Sequence, residues 1–269
     1  MRERIMVRQI KTELYRMVCT PVFFLAVMMI VVLFLSSIFY MRDGREWSVI
    51  GVIIEFSGEE LADNESLTAY QAMLAAAGGW FRLLLPLVTA VVIVPAFRIE
   101  RTSGFLRYEV IRTGKSRYYC SKCISSFLAG GLVIAFGFFI YSIIVSICLP
   151  HGGGLSTMAS EKRNFLFYIL GLLFYGCVWG MLSIGIMGIV KNQYLGICIP
   201  FMFKYIYDQS YLKYYDFFGE NSVFQSNGLL MISTDNPNSG GIICYHVLIC
   251  VVAAICFVIG MQRRKDAGE

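Results

Sequence analysis

The sequence predicts an all-α polytopic membrane protein with six transmembrane helices and both termini in the cytoplasm, and three observations carry that expectation. Mean hydropathy is +0.66, with 57% of the 269 residues hydrophobic and only 15% charged, a balance that suits a chain whose main solvent is lipid. Uncharged runs long enough to cross a bilayer recur along it, among them 21–41 and 164–190. Of the 23 Lys and Arg, 16 lie before residue 20, in 98–122, at Lys191 or after 261, the stretches that a six-span path places on one inner face. The net charge of +5 does not point to nucleic acid, because the basic residues flank apolar spans and no basic fold motif accompanies them.

Taken in order, residues 1–20 form an inner interface helix. Arg2, Arg4, Arg8, Lys11 and Arg16 face Glu3 and Glu13, while Ile5, Ile10, Leu14 and Met17 recur at near-helical spacing. The first span, 21–41, is too long for the apolar core of a signal peptide. Residues 42–79 carry seven acidic and two basic residues and form an outer segment. Within it Val49–Phe56 reads as a short strand or a re-entrant piece, and Asn64-Glu65-Ser66 fits a glycosylation sequon.

The second span, 80–97, contains Pro86 and Pro95, each of which removes a backbone hydrogen bond and predicts a kink. A basic loop, 98–122, leads to the third span, 123–149. The fourth, 164–190, holds Gly176 and Gly180, a small-xxx-small pair that lets a neighbouring helix approach closely. After the inner turn at Lys191-Asn192, the fifth span, 192–207, carries Lys204 and is either a snorkelling span or a broken helix. Residues 208–241 are a second outer segment, entered through Tyr205, Tyr207, Tyr211, Tyr214, Tyr215, Phe217 and Phe218, which suit a membrane-interface belt. The sixth span, 242–261, ends at Arg263-Arg264-Lys265.

Motifs with catalytic or ligand chemistry are incomplete. Thr113-Gly114-Lys115-Ser116 ends like a phosphate-binding loop, but Glu109 stands where the first glycine belongs. Cys120-x-x-Cys123 has no second pair or nearby histidine to complete four ligands. Seven of the nine cysteines fall within spans, where a thiol acts as a small hydrophobe, and a Cys148–Cys244 disulfide at the outer face is geometrically allowed. The two histidines, His151 and His246, lie near the outer face outside any hydrolase motif. The expectation is therefore no enzyme, no catalytic residue, no metal and no cofactor.

One arrangement is specific by its position. An inner N-terminal helix, a span, an outer loop and a second span entering a basic loop with Phe97-x-x-Glu100-Arg101-x-Ser103-Gly104, then Ser116-Arg117-Tyr118-Tyr119-x-x-Lys122 as the third span begins, resemble the permeases of ABC-2 type transporters. The resemblance covers essentially the whole chain in layout, with its motif-like part in 97–122. It implies a subunit of a bacterial cell membrane that pairs with a second permease, identical or homologous, and with two ATPase subunits that supply the energy. It also implies that 98–122 contains a helix seated on the ATPase, which makes Glu100, Arg101, Ser103, Gly104 and Arg107 the coupling residues. By length the chain is similar to small bacterial permeases that export, or confer immunity to, antimicrobial peptides, and a drug or lipid-like cargo is equally compatible. Lys204, deep in a span, is a residue of the substrate path by the general cost of intramembrane charge. The competing expectation is a membrane sensor or assembly scaffold that does not transport.

Overall fold

The computed structural model describes residues 2–42, 44–56, 67–150, 159–214, 223–225, 227–231 and 238–266. The sequon, His151 and parts of both outer segments lie outside the described residues. Helix α1 (Arg2–Val18) meets α2 (Pro21–Leu35) at an angle of 66°. The junction follows from Thr20, whose hydroxyl accepts the Phe23 amide at 3.2 Å, and from Pro21, which starts the helix without an N–H to satisfy.

α2 ends six residues before the expected limit of its span. The Ser36 and Ser37 hydroxyls donate to the carbonyls of Leu33 and Phe34 at 2.8 and 2.7 Å, taking up backbone acceptors at the helix end. The β-branched and aromatic Ile38, Phe39 and Tyr40 then enter an antiparallel hairpin of β1 (Ile38–Arg42) and β2 (Arg45–Ser48), turned at Gly44 with φ of 76°. Val49–Glu55 is helix α3 and not the strand its β-branched residues allow, capped by Ser48 on the Gly51 amide. A short α4 (Ala69–Ala75) follows.

Two long helices with a short one between them form the centre. α5 (Trp80–Thr102) is followed by α6 (Phe105–Thr113) and α7 (Lys115–Cys148), so the basic loop is itself mostly helical. α8 (Ala159–Ile189), α9 (Gln193–Lys213) and α10 (Ser239–Asp266) complete the bundle, with a 3-10 turn at Gly228–Met231. Among the described residues, Trp80–Thr102, Lys115–Cys148, Arg163–Ile189 and Ser239–Arg263 are long and apolar enough to cross a membrane, and the bent α1–α2 pair adds a fifth candidate. These helices make the chain a membrane protein of the all-α class. The fifth expected span falls on α9, a continuous helix through Pro200 that carries Lys204 and Asp208 and lies outside that set.

α8 is the axis of the bundle, packed by α7, α10, α5 and α9. Its close neighbours are reached through glycine. A Cβ on Gly180 would stand 2.5 Å from the Ser126 carbonyl oxygen, and one on Gly176 2.7 Å from that of Gly130. The Gly176/Gly180 pair is thus the contact with α7, as its spacing predicts. Pro86 leaves the Arg82 carbonyl without its helical donor, and the Tyr175 hydroxyl of α8 faces that oxygen at 3.5 Å. Toward the outer segments Phe34, Phe81, Phe138 and Tyr141 form an aromatic core, and the hydroxyls of Tyr141 and Tyr168 bond the backbone of α4 and its following turn.

Candidate functional site: a buried charge tie beneath the short helix

Each of three helices brings one polar side chain to the same level on its buried face. α5 runs past its apolar stretch, so Glu100 continues the buried line of Ile93 and Phe97. α7 buries Tyr118, Lys122 and Ser125 at helical spacing. α1 buries Gln9, Glu13 and Met17, one turn apart, rather than the apolar Ile10 and Leu14, which are only half-buried. Within the protein the inward line of α1 is therefore polar at its centre, where a carboxylate meets a buried ammonium.

That ammonium is Lys122 Nζ. It donates to Glu13 Oε2 at 2.6 Å and to both Glu100 oxygens at 2.5 Å, with all three side chains 2% exposed or less. Arg16 Nη1 stands 3.6 Å from Glu100 and 3.7 Å from Glu13, and the Tyr118 hydroxyl donates to Glu100 Oε2 at 3.4 Å. Charges this deep persist only when paired and hydrogen-bonded, so the group acts as one unit joining α1, α5 and α7.

α6 hangs from this tie by two glycines. Ser103 closes α5, its amide bonding the Ile99 carbonyl at 3.0 Å, and Gly104 then reverses the chain at φ 71°. Gly114, at φ 87°, starts α7 after the other end. Both are conformations that L side chains rarely adopt. No side chain of α6 is fully buried: Tyr108 and Ile111 are largely exposed beside Arg107 and Arg112. Contacts between α6 and α1 include the Arg16 guanidinium 4.6 Å above the Phe105 ring and the Gln9 amide donating to Thr113 Oγ1 at 3.5 Å. Between them is a cavity of about 350 Å³ lined by Arg8, Gln9, Thr12, Tyr108, Glu109 and Arg112 among others.

Glu109 is the third carboxylate. Its oxygen, with those of Glu13 and Glu100, falls in a group spanning at most 4.8 Å, and the Lys122 ammonium already sits against two members of it. Burial first, then the Glu13 and Glu100 charges, push the Glu109 carboxyl up to about 7.

The sequence-predicted coupling residues divide. Ser103, Gly104 and Arg107 are exposed at the tip, Arg101 is half-buried, and Glu100 is turned inward as part of the tie. Lys204 is elsewhere, fully buried among α8, α9 and α10 and bonded to Asp208. Sequence reasoning missed Glu13, Glu109 and Lys122 as site residues, because each was read as topology charge or as a defective phosphate loop. The available signal was an acid at the middle of Gln9-x-x-x-Glu13-x-x-x-Met17 in a basic helix. Lys204 and Asp208 form an i, i+4 ion pair on α9. The nine cysteines are unpaired, Cys148 and Cys244 included. Compared with protein-family models, with curated proteins and with solved structures, the chain finds no match.

Proposed function

We propose that the chain is the membrane-spanning permease subunit of an ABC-2 type transporter, with six spans and cytoplasmic termini, that exports or gives immunity to an antimicrobial peptide, drug or lipid-like molecule. A separate pair of ATPase subunits drives it and a second permease completes the pathway. The observation that carries this reading is the form of 98–122: a short helix with an exposed aromatic and basic face, jointed by glycines at both ends and rooted in a charge tie. Such a piece moves as a rigid body when a partner pushes it, and the tie passes that displacement to α1, α5 and α7 together. On this reading the energy for that motion comes from a partner that hydrolyses ATP.

The test is purification of the full chain from native membranes with the ATPase activity of the eluate measured, for wild type and for Arg107→Glu. Arg107 is exposed at the tip, so the substitution alters the docking face without touching the tie. An ATPase that accompanies wild type and is lost or uncoupled in the variant supports the permease. Well-folded wild type that brings no ATPase defeats it and favours a sensor or scaffold.

A further inference from the structure

The charge tie leaves two carboxylate oxygens over. The Lys122 ammonium directs its donors at Glu13 Oε2 and at both oxygens of Glu100. Glu13 Oε1 and Glu109 Oε2 are closed to solvent, and no donor among the described residues hydrogen-bonds either. Arg16 Nη1 stands 3.7 Å from Glu13 Oε1, too far for a hydrogen bond. Glu13 and Glu109 belong to a group of carboxylates whose oxygens lie within 4.8 Å of one another, and they come from different helices, α1 and α6.

Charge shows what is missing there. Three carboxylates, Glu13, Glu100 and Glu109, face two cations, Lys122 from α7 and Arg16 from α1. Arg8 of α1 and Arg112 of α6 line the adjoining cavity, but both are exposed, where water and salt screen their charge. Tyr118 of α7 gives its hydroxyl to Glu100. One negative charge is thus left uncompensated among buried groups, and buried acceptors without a donor are costly. A single proton answers both faults: it makes one carboxyl a donor to the other, and it balances the count. Glu109 is the carboxyl that takes it, because burial, the Glu13 and Glu100 charges and a hydrogen bond with Glu13 raise it to about 7 against Lys122.

We infer that Glu109 and Glu13 hold one proton between them as a latch of α6 on α1, and that α6 swings free when the proton leaves. The joints for that motion are Gly104 and Gly114, both at positive φ. No side chain of α6 is fully buried, and the hydrogen bond from Gln9 to Thr113 is long, at 3.5 Å. Once ionised, Glu109 is repelled by Glu13 and Glu100. Open space lies beside it, the cavity of about 350 Å³ with Arg8 and Arg112 on its wall. The sign follows from Glu109: α6 is latched below about 7 and released above it. In the proposed permease the latch sets when α6 can move, and only that role rests on the permease reading. The latch itself is tested without any ATPase, so the two fail or hold independently.

The test follows the proton and the helix separately, in the full-length chain in phosphatidylcholine nanodiscs. Infrared difference spectra between pH ~6 and ~8 are expected to show the carbonyl stretch of a protonated carboxyl at the lower pH, absent from Glu109→Gln. Nitroxide labels at Lys11→Cys and Ile111→Cys, exposed on α1 and α6, read the separation of the two helices by pulsed electron spin resonance once the native cysteines are replaced. A single short distance at pH ~6 should give way to longer and broader ones at pH ~8. Glu109→Gln, whose amide donates to Glu13 at any pH, should keep the short distance throughout. Trypsin cleavage after Arg107 and Arg112 reads the same motion in the chain with its native cysteines. The wild-type rate relative to Glu109→Gln should be near unity at pH ~6 and several-fold higher at pH ~8. A carboxyl band that titrates while separation and cleavage ratio stay constant overturns the latch, as does a pH response shared by Glu109→Gln. A wild type without that band at pH ~6 overturns the shared proton.

Discussion

Lys122 joins carboxylates from two other helices, so its removal leaves two buried acids without their main partner. Lys122→Met is expected to destabilise the chain by about 3–5 kcal/mol, the range for a broken buried ion pair. Glu13→Gln, which keeps a hydrogen-bonding oxygen on the ammonium, is expected to cost less. Thermal unfolding in detergent, followed by size-exclusion of the surviving monodisperse fraction, ranks the two, and the opposite order contradicts the tie. Glu109 behaves differently, since its carboxyl is raised to about 7 by burial and by the charges of Glu13 and Glu100, against Lys122. A folded pKa above the unfolded value of 4.5 means that the folded chain holds the extra proton between those limits. The contribution of this group is therefore present below about 4.5 and is lost as pH rises through about 7. Melting temperature in wild type should fall more between pH ~5 and ~8 than in Glu109→Gln. Parallel pH profiles of the two proteins would show that Glu109 is not the group that titrates.

At the scale of elements, the α7–α8 contact is where a single atom matters. A Cβ on Gly180 meets the Ser126 carbonyl oxygen at 2.5 Å and Gly130 Cα at 3.1 Å, both backbone atoms that cannot turn aside. Gly180→Val should force the helices apart and cost about 1–3 kcal/mol or more by overpacking. Gly240→Val, where a Cβ meets nothing within 4 Å, should leave the melting temperature near wild type. That contact was legible because glycine four residues apart has one physical use in an apolar helix. So were α5, α7, α8 and α10, whose uncharged runs exceed what a water-exposed helix tolerates. The end of α2 was not legible from hydropathy, which registers Ser36 to Met41 as apolar and is blind to two serine hydroxyls taking up the last carbonyls. The strand alternative for α3 failed because Val and Ile favour strands by packing context, and its N-cap at Ser48 outweighs that preference in a seven-residue helix. The tie was hidden for another reason. Pairing Glu13 with Lys122 requires a contact 109 residues apart in the chain, and no local pattern encodes it.

For the whole molecule, the disputed quantity is the number of crossings, and two helices decide it. α2 has 15 residues, about 22 Å at the α-helical rise, against a hydrocarbon core of about 30 Å. It crosses only if the hairpin and the bent α1 lie within the two interfaces. α9 has 21 residues and the length to cross, but it carries Lys204 and Asp208; their mutual hydrogen bonds lower the cost of bringing both into lipid. In a six-span chain Arg45 and Lys213 face outward while Arg107 and Lys191 face inward. Single cysteines at these four positions, in a background with the nine native cysteines replaced, report this with a membrane-impermeant maleimide. Arg45→Cys and Lys213→Cys should label in intact cells, and Arg107→Cys and Lys191→Cys only after permeabilisation. Labelling of Lys213→Cys on the same side as Lys191→Cys would make α9 a helix that does not cross, and would put the Lys204–Asp208 pair near the inner face. Protection of Arg45→Cys in intact cells would instead make α1 and α2 a bent pair at the inner interface. Either outcome changes the parity of the crossings, so one terminus would lie outside and the excess of Lys and Arg on the inner face would have to be reassigned.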